Sequence, residues 1–157
     1  METVLRALAK DDSLTLDIAG RGPKEAALKK LAHDLRLEDR VRFHGYLDSS
    51  RVQALLAKSD VGVIPMRDDS WVGLPYKLGD YLAARLRVIS SLHGECGELL
   101  KRERVGSTYD FGSEDSLLKA LRMKLNPDGE EIEVRVPEIL QAEKIYPAYV
   151  KTIKNMI

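Results

Sequence analysis

The residues of this 157-residue chain that are equipped for chemistry fall in three short stretches. The first is Gly73-Leu-Pro-Tyr-Lys-Leu-Gly-Asp-Tyr-Leu-Ala-Ala84, with Lys77 and Asp80 three positions apart just after Pro75. If a helix starts at that proline, its free N–H groups and positive dipole end favour an anion such as a diphosphate. A lysine in a first turn opposes the dipole, so Lys77 is better accounted for if it meets a ligand anion. Asp80, one turn on, can accept two sugar hydroxyls, as acids do for a ribose. The competing account is an exposed Lys77–Asp80 i,i+3 pair worth about 0.3 kcal/mol. Residue types alone leave the two accounts even.

The second stretch is Gly20-Arg21-Gly22-Pro23. Glycines let backbone approach an anion, but the spacing is too short for a dinucleotide fingerprint or a P-loop. A tight turn after a strand is the more economical reading, with Arg21 either a phosphate contact or an ordinary exposed arginine. The third is His93-Gly-Glu-Cys-Gly-Glu98. A cysteine beside histidine and glutamate near a helix start can be a reactive thiolate, yet no third orienting group is placed, and a small structural residue is favoured. His44 is read as a strand-end residue and His33 as part of a charged helix face. Trp71 is a loop aromatic that either stacks on a ligand or, slightly preferred, packs on a partner domain.

Composition narrows the classes. Acidic and basic residues balance at 25 each, so no net field draws the chain to nucleic acid or an anionic membrane. The single cysteine cannot form an internal bridge, no Cys/His metal spacing occurs, and no metal is expected. No signal peptide or spanning segment is present, so a cytoplasmic protein is expected.

The elements that must position these residues alternate between the helical and strand periods. A helix is expected over Thr3–Lys10, a strand through Leu14, Leu16 and Ile18 to Gly20, and a helix through Leu28, Leu31, Ala32 and Leu35 with Pro23 in its first turn. Val41–Phe43 follows as a strand, then a helix capped by Asp48-Ser49-Ser50, and a buried strand over Asp60–Pro65. After the Met66–Pro75 loop come a helix over Tyr76–Ala84, a strand over Arg87–Ser90, a helix over Glu95–Lys101 and an edge strand over Val105–Tyr109. Ser113 or Ser116 caps a helix through Leu117, Leu118, Leu121 and Met123. A turn at Asn126–Gly129, an acidic stretch from Glu130, and a helical segment over about 137–157 close the chain. Repeated strand–helix units with short connections imply a single α/β domain, a doubly wound parallel sheet with helices on both faces. Ligands of such sheets bind at the strands' carboxyl ends, so the loops at Gly20–Pro23, Gly45–Ser49 and Met66–Tyr76 matter most.

The order of Leu14-Thr-Leu-Asp-Ile-Ala-Gly-Arg-Gly-Pro23, Arg40-Val-Arg-Phe-His-Gly45, Ser59-Asp-Val-Gly-Val-Ile-Pro65 and Pro75-Tyr-Lys-Leu-Gly-Asp-Tyr-Leu-Ala-Ala84 with Val88-Ile89 resembles the C-terminal, donor-binding domain of GT-B-fold group 1 glycosyltransferases (glycosyltransferase family 4). Each piece is common; their order and spacing, up to about Leu121, are specific. The resemblance implies a Rossmann-like domain that binds a nucleoside-diphosphate sugar, UDP- or GDP-linked, for retaining hexosyl transfer in surface-glycan assembly. It implies that Asp80 holds the ribose, that Tyr76, Lys77 and Leu78 form the helix start that meets the diphosphate, and that Tyr46 and Leu47 flank the base. Gly20, Arg21 and Gly22 belong to the donor loop, and Gly94 and Glu98 lie near the sugar.

The departures are as informative. The family's E-x7-E pair reads Val72 at its first position, with Asp68 and Asp69 out of register, and the shorter Asp80 at its second. Arginine stands at the family's glycine (Arg85) and proline (Arg87). By the same resemblance the family's opening strand and its acceptor-binding N-terminal domain are expected to be missing, so the chain is expected to be inactive by itself, to expose apolar surface where those parts pack, and to touch membranes only through the missing half. A degenerate, non-catalytic interaction module is the alternative. A receiver-type domain ranks last, since Asp11-Asp12 precedes its strand.

Overall fold

A computed structural model describes residues 1–67, 70 and 72–123. Asp68, Asp69, Trp71 and everything expected beyond Met123, including the turn at Asn126–Gly129 and the helical segment 137–157, lie outside the described residues.

The described chain runs α1 (Glu2–Leu8), β1 (Leu16–Ala19), α2 (Glu25–Asp34), β2 (Val41–Gly45), α3 (Ser49–Leu56), β3 (Val61–Ile64), α4 (Tyr76–Ala83), β4 (Arg87–Ser90), α5 (Glu95–Arg102), β5 (Gly106–Thr108) and α6 (Glu114–Arg122). All strand pairs are parallel, as strand–helix–strand crossovers require. Local chemistry sets the boundaries. Asp48 accepts the Arg51 N–H and starts α3; Ser113, of the two candidate caps, accepts the Ser116 N–H and starts α6, each cap contributing about 1 kcal/mol. Pro23 lies just outside α2, whose N-cap is Lys24.

Three helices end alike. Arg36, Arg85 and Arg104 have φ of 56°, 60° and 55°, a left-handed turn normally given to glycine. In each the next residue's N–H reaches back five positions, Leu37 to Ala32 O, Leu86 to Tyr81 O and Val105 to Leu100 O. That residue is buried every time, so an apolar anchor holds the arginine in a conformation costing about 1 kcal/mol.

The two faces of the sheet are packed unequally. On one, α1, α2 and α6 bury Val4, Leu5, Leu8, Ala32, Leu117 and Leu118 against Val41 and Ile89. On the other, α4 and α5 bury Leu78, Leu82, Cys96, Leu99 and Leu100 against Ile64 and Val88. Gly62 lets the Tyr81 ring lie on β3, where any Cβ would overlap it. The second face continues over β1–β2 only as a polar surface, with His44 Nε2 and Asp17 Oδ1 paired at 2.6 Å across the strands.

The strands form two ladders, β1–β2 and β3–β4–β5, with no pairing between β1 and β3. Side chains of both ladders nonetheless join one core: Leu16 and Ile18 from the first, Val61 and Val63 from the second, all only partly buried. β3 is thus covered on its faces as expected but open along one edge. α1 bridges the halves, packing on both α2 and α6. Arg40 Nη1 donates to Leu8 O at 2.9 Å and Asp11 O at 2.8 Å, a cation at a helix C-terminus. Toward α6, Arg122 pairs with Asp11 and Lys10 with Glu114 and Asp115, each at 2.9 Å.

Candidate functional site

The carboxyl ends of all five strands share one edge, and the loops leaving it carry most of the residues expected to bind. β1 ends in Gly20 (φ 121°) and β2 in Gly45 (φ 64°); both positions need glycine's backbone freedom. The Gly20 N–H donates to Gly45 O at 2.6 Å, fastening the first two loops together. The Arg21 side chain lies over Gly45, while Gly20 and Gly22 face open space. Arg21 therefore sits where two loops meet an unfilled surface.

α4 starts at Pro75, which caps it with extended backbone and no side-chain hydrogen bond. Helical spacing turns Leu78 and Leu82 into the core and leaves Tyr76, Lys77 and Asp80 exposed. Leu78 is a core residue whose N–H is taken by Pro75 O at 2.9 Å. The remaining first-turn amides, Tyr76 and Lys77, have no partner among the described residues. Nor does any ion pair join Lys77 to Asp80 there, so the exposed-pair account of these residues is not realised.

The Met1 ammonium is pushed below its usual pKa chiefly by burial, opposed by Glu2 and reinforced by Lys24 and Lys77. Lys24 pairs with Glu2 at 3.9 Å, joining the starts of α1 and α2, and Lys77 at the start of α4 acts electrostatically on the same ammonium. Lys77 and the unpartnered first-turn amides of α4 thus give this edge positive charge and N–H donors suited to an anion.

Tyr46 (75 % exposed) after β2 and Tyr76 (99 % exposed) at the start of α4 present their rings to solvent, and Val72 and Phe111 are also exposed on loops that follow strands. Leu47 is half-buried. The expected apolar exposure thus concentrates on this one edge, with Met123 the exception.

A cleft of about 370 Å³ lies between the β3–α4 and β4–α5 loops, lined by Ser70, Val72, Gly73, Ser91, His93 and Glu95 among others. Gly94 lines it; Glu98, singled out with Gly94 from sequence, does not, and Glu95 does, its carboxylate pressed against Gly73. The root of the cleft is held by two buried serines that sequence reasoning passed over. Ser91 Oγ donates to Met66 O at 2.5 Å, and Ser90 Oγ accepts from Leu92 N–H at 3.0 Å. Polar side chains at a strand's carboxyl end were the available signal. A larger hollow of about 420 Å³ flanks α6 instead.

Cys96 is buried in the core, its thiol pushed up by burial, an environment for a structural residue and not a thiolate. The replaced glycine and proline have structural duties: Arg85 holds the left-handed end of α4, and Arg87 donates to Leu121 O at 2.6 Å and to Met123 O, tying the end of α6 to the start of β4. No group of three or more His, Cys, Asp or Glu able to hold a metal occurs among the described residues, and no described helix is long and apolar enough to cross a membrane.

Comparison with known proteins places this geometry. The colanic acid biosynthesis glycosyltransferase WcaL of Escherichia coli K12, itself designated putative, is 34% identical over 92 residues, which cover 57% of this chain and 23% of that protein. The chain thus spans about a quarter of that curated relative. Among solved structures, sucrose-phosphate synthase of Thermosynechococcus elongatus superposes with TM-score 0.80 at 19% identity, over 99% of this chain and 41% of that one. HepE of Anabaena, in complex with UDP, superposes with TM-score 0.75 at 16% identity, over 99% and 45%. These likenesses establish a GT-B glycosyltransferase fold. The model for "Glycosyl transferases group 1" matches residues 1–126, and the chain belongs to that family.

Proposed function

We propose that this chain is the donor-binding half of a glycosyltransferase that takes a hexosyl group from a UDP- or GDP-sugar in surface-polysaccharide assembly. The observation that carries the reading is the exposed start of α4, where Lys77 stands beside the unpartnered Tyr76 and Lys77 amides at the carboxyl end of β3. The diphosphate sits at the α4 start, where dipole and lysine both stabilise a departing anion, so no metal is needed for that charge. Asp80, exposed one turn on, accepts the ribose hydroxyls. Tyr46 and Leu47 flank the base, and Gly20, Arg21 and Gly22 close the opposite side. The sugar occupies the cleft beside Gly94. The similar HepE was solved with UDP, and the similar WcaL is named for colanic acid biosynthesis; both agree with this donor class and pathway class.

The half contributes donor orientation and leaving-group stabilisation. The acceptor site belongs to an N-terminal domain outside these residues, which packs on the exposed Tyr46, Val72, Tyr76 and Phe111, and transfer requires both. The unpaired, buried Cys96 fits a reducing, cytoplasmic setting. The arginines at the family's glycine and proline positions have structural work, which removes one argument for a degenerate module.

Calorimetric titration with UDP, GDP, ADP and CDP tests the reading. One diphosphate binds selectively, and Asp80→Asn weakens it about tenfold, the loss of a charge-assisted hydrogen bond. Equal, non-selective binding that Asp80→Asn leaves untouched would overturn it.

A further inference from the structure

We infer that Glu95 reads the donor sugar: in the cleft between the β3–α4 and β4–α5 loops its carboxylate accepts hydrogen bonds from two adjacent sugar hydroxyls, and so selects neutral hexoses and turns away hexuronates. The inference rests on the reading of this chain as a donor-binding half and assigns the sugar end of that same site.

Its neighbours put the carboxylate there. Glu95 is the first residue of α5, after the N-cap Gly94. Its side chain crosses to the opposite loop, where a Cβ on Gly73 would overlap the carboxylate. Gly73 has no left-handed φ, so the backbone does not require glycine at that position. What the missing Cβ supplies is room for Glu95. The preceding residue, Val72, where the family pattern carries an acid, brings only an apolar side chain to the cleft. The negative charge in this cleft therefore comes from the α5 wall and is admitted by the α4 wall.

The other polar groups define what it can bind. Among the described residues that line the cleft, Glu95 carries the only carboxylate, and no lysine or arginine is present. No described residue hydrogen-bonds or ion-pairs with it. Ser91 Oγ is turned away to Met66 O at 2.5 Å and Ile64 O at 3.2 Å, and His93 Nε2 lies 3.7 Å from Asp110 Oδ1. An ionised carboxylate only accepts, through two oxygens, so its partner must bring donors. Hydroxyls on neighbouring sugar carbons bring two at a matching spacing, as a ribose does to an acid. A hexuronate brings a second carboxylate, and with no cation on the described walls the like charges repel unopposed.

A negative charge in the first turn also suits the dipole of α5. Glu98 stands in the same turn without lining the cleft, and the dipole makes no demand on Gly73. The walls, moreover, are fixed relative to each other. Ser91 N–H donates to Ile64 O at 3.1 Å, Leu92 N–H to Ser90 Oγ at 3.0 Å, and the Cys96 thiol to the same oxygen at 3.7 Å. These bonds pin the β4–α5 loop and the first turn of α5 to the end of β3. A carboxylate held between pinned walls discriminates between hydroxyl patterns at a small cost in ordering.

Calorimetric titration of the 157-residue chain tests this with UDP, UDP-glucose, UDP-galactose and UDP-glucuronate, and with GDP, GDP-mannose and GDP-mannuronate. On the base the chain selects, a neutral hexosyl donor binds about tenfold tighter than the bare diphosphate, and the hexuronosyl donor binds no tighter than the diphosphate. Glu95→Gln removes the tenfold gain. Gly73→Ala removes it as well, because its methyl displaces the flexible carboxylate, while the melting midpoint stays near that of the parent. A purely structural Glu95 would instead lower the midpoint in Glu95→Gln and leave the sugar gain intact, and that result overturns the inference. So does a hexuronosyl donor that binds as tightly as the neutral one. Selective diphosphate binding with no gain for any hexose overturns the inference alone and leaves the donor reading standing. Absence of UDP and GDP binding overturns the donor reading and the inference with it.

Discussion

The two half-sheets are built from the same strand–helix unit but are finished differently. Around β3, β4 and β5 the core is closed on both faces: α4 and α5 cover one, α6 the other, and Gly62 admits the Tyr81 ring. Around β1 and β2 one face is covered by α1 and α2, and the other shows the Asp17–His44 pair. The proposed donor-binding edge draws on both halves, Gly20, Arg21 and Gly45 from one and Tyr76, Lys77 and Asp80 from the other. A ligand across that edge therefore touches two units whose ladders are not joined, and the difference teaches that their mutual placement depends on α1.

The strongest way to break the contrast is Leu5→Ala. Leu5 is fully buried in the helix that bridges the halves, and its truncation costs about 3 kcal/mol. Urea titration followed by hydrogen exchange should show β1–β2 opening before β3–β5; simultaneous loss of both would mean that the halves form one unit. Next comes Gly62→Ala, which drives a methyl into the Tyr81 ring. It should cost about 2 kcal/mol, confined to the β3–β5 half, and Tyr81→Ala in the same chain should recover part of the loss because the two sites share one contact. Additive losses would refute the lock.

A smaller effect of opposite sign is expected at the left-handed arginines. Arg85→Gly and Arg104→Gly in the closed half, and Arg36→Gly in the open one, should each raise stability by about 1 kcal/mol, read as a higher midpoint. A gain in only one half would show where rigidity limits the molecule. The smallest change is acid-dependent. Hydrogen bonds from Ser13 and then Arg122 hold Asp11 at a pKa of about 2, below its usual 3.8. Its folded pKa is depressed, so its contribution is present above the ordinary carboxylate range and is lost as pH falls through about 2. Asp11→Asn should flatten the stability–pH curve between those values, and an unchanged acid limb would remove Asp11 from the α1–α6 link.

What the sequence made legible follows from what is local. Pro75 located the start of α4 and so put Lys77 and Asp80 in its first turns. β4 was read to the residue because the β-branched Val88-Ile89 pair stands between the end of a helix and the polar Ser90-Ser91. The structure seats Leu78 in the core, where family resemblance had suggested a ligand contact. The break between β1 and β3 was expected from the resemblance, but its position was not legible, since periodicity gives a strand's direction and not its neighbour. Arg87 read as a departure from pattern because its acceptors, Leu121 O and Met123 O, are more than thirty positions away. Gly62 could have been read: a glycine inside a strand often marks close approach of another group.

Cys96 lends the closed half its own reporter. The thiol is the chain's only one and is sealed between α5 and β4, so a thiol-reactive dye can label it only when that region opens. Labelling rates then measure the opening of the β3–β5 half alone, in the unmodified protein, while the rest of the chain stays silent.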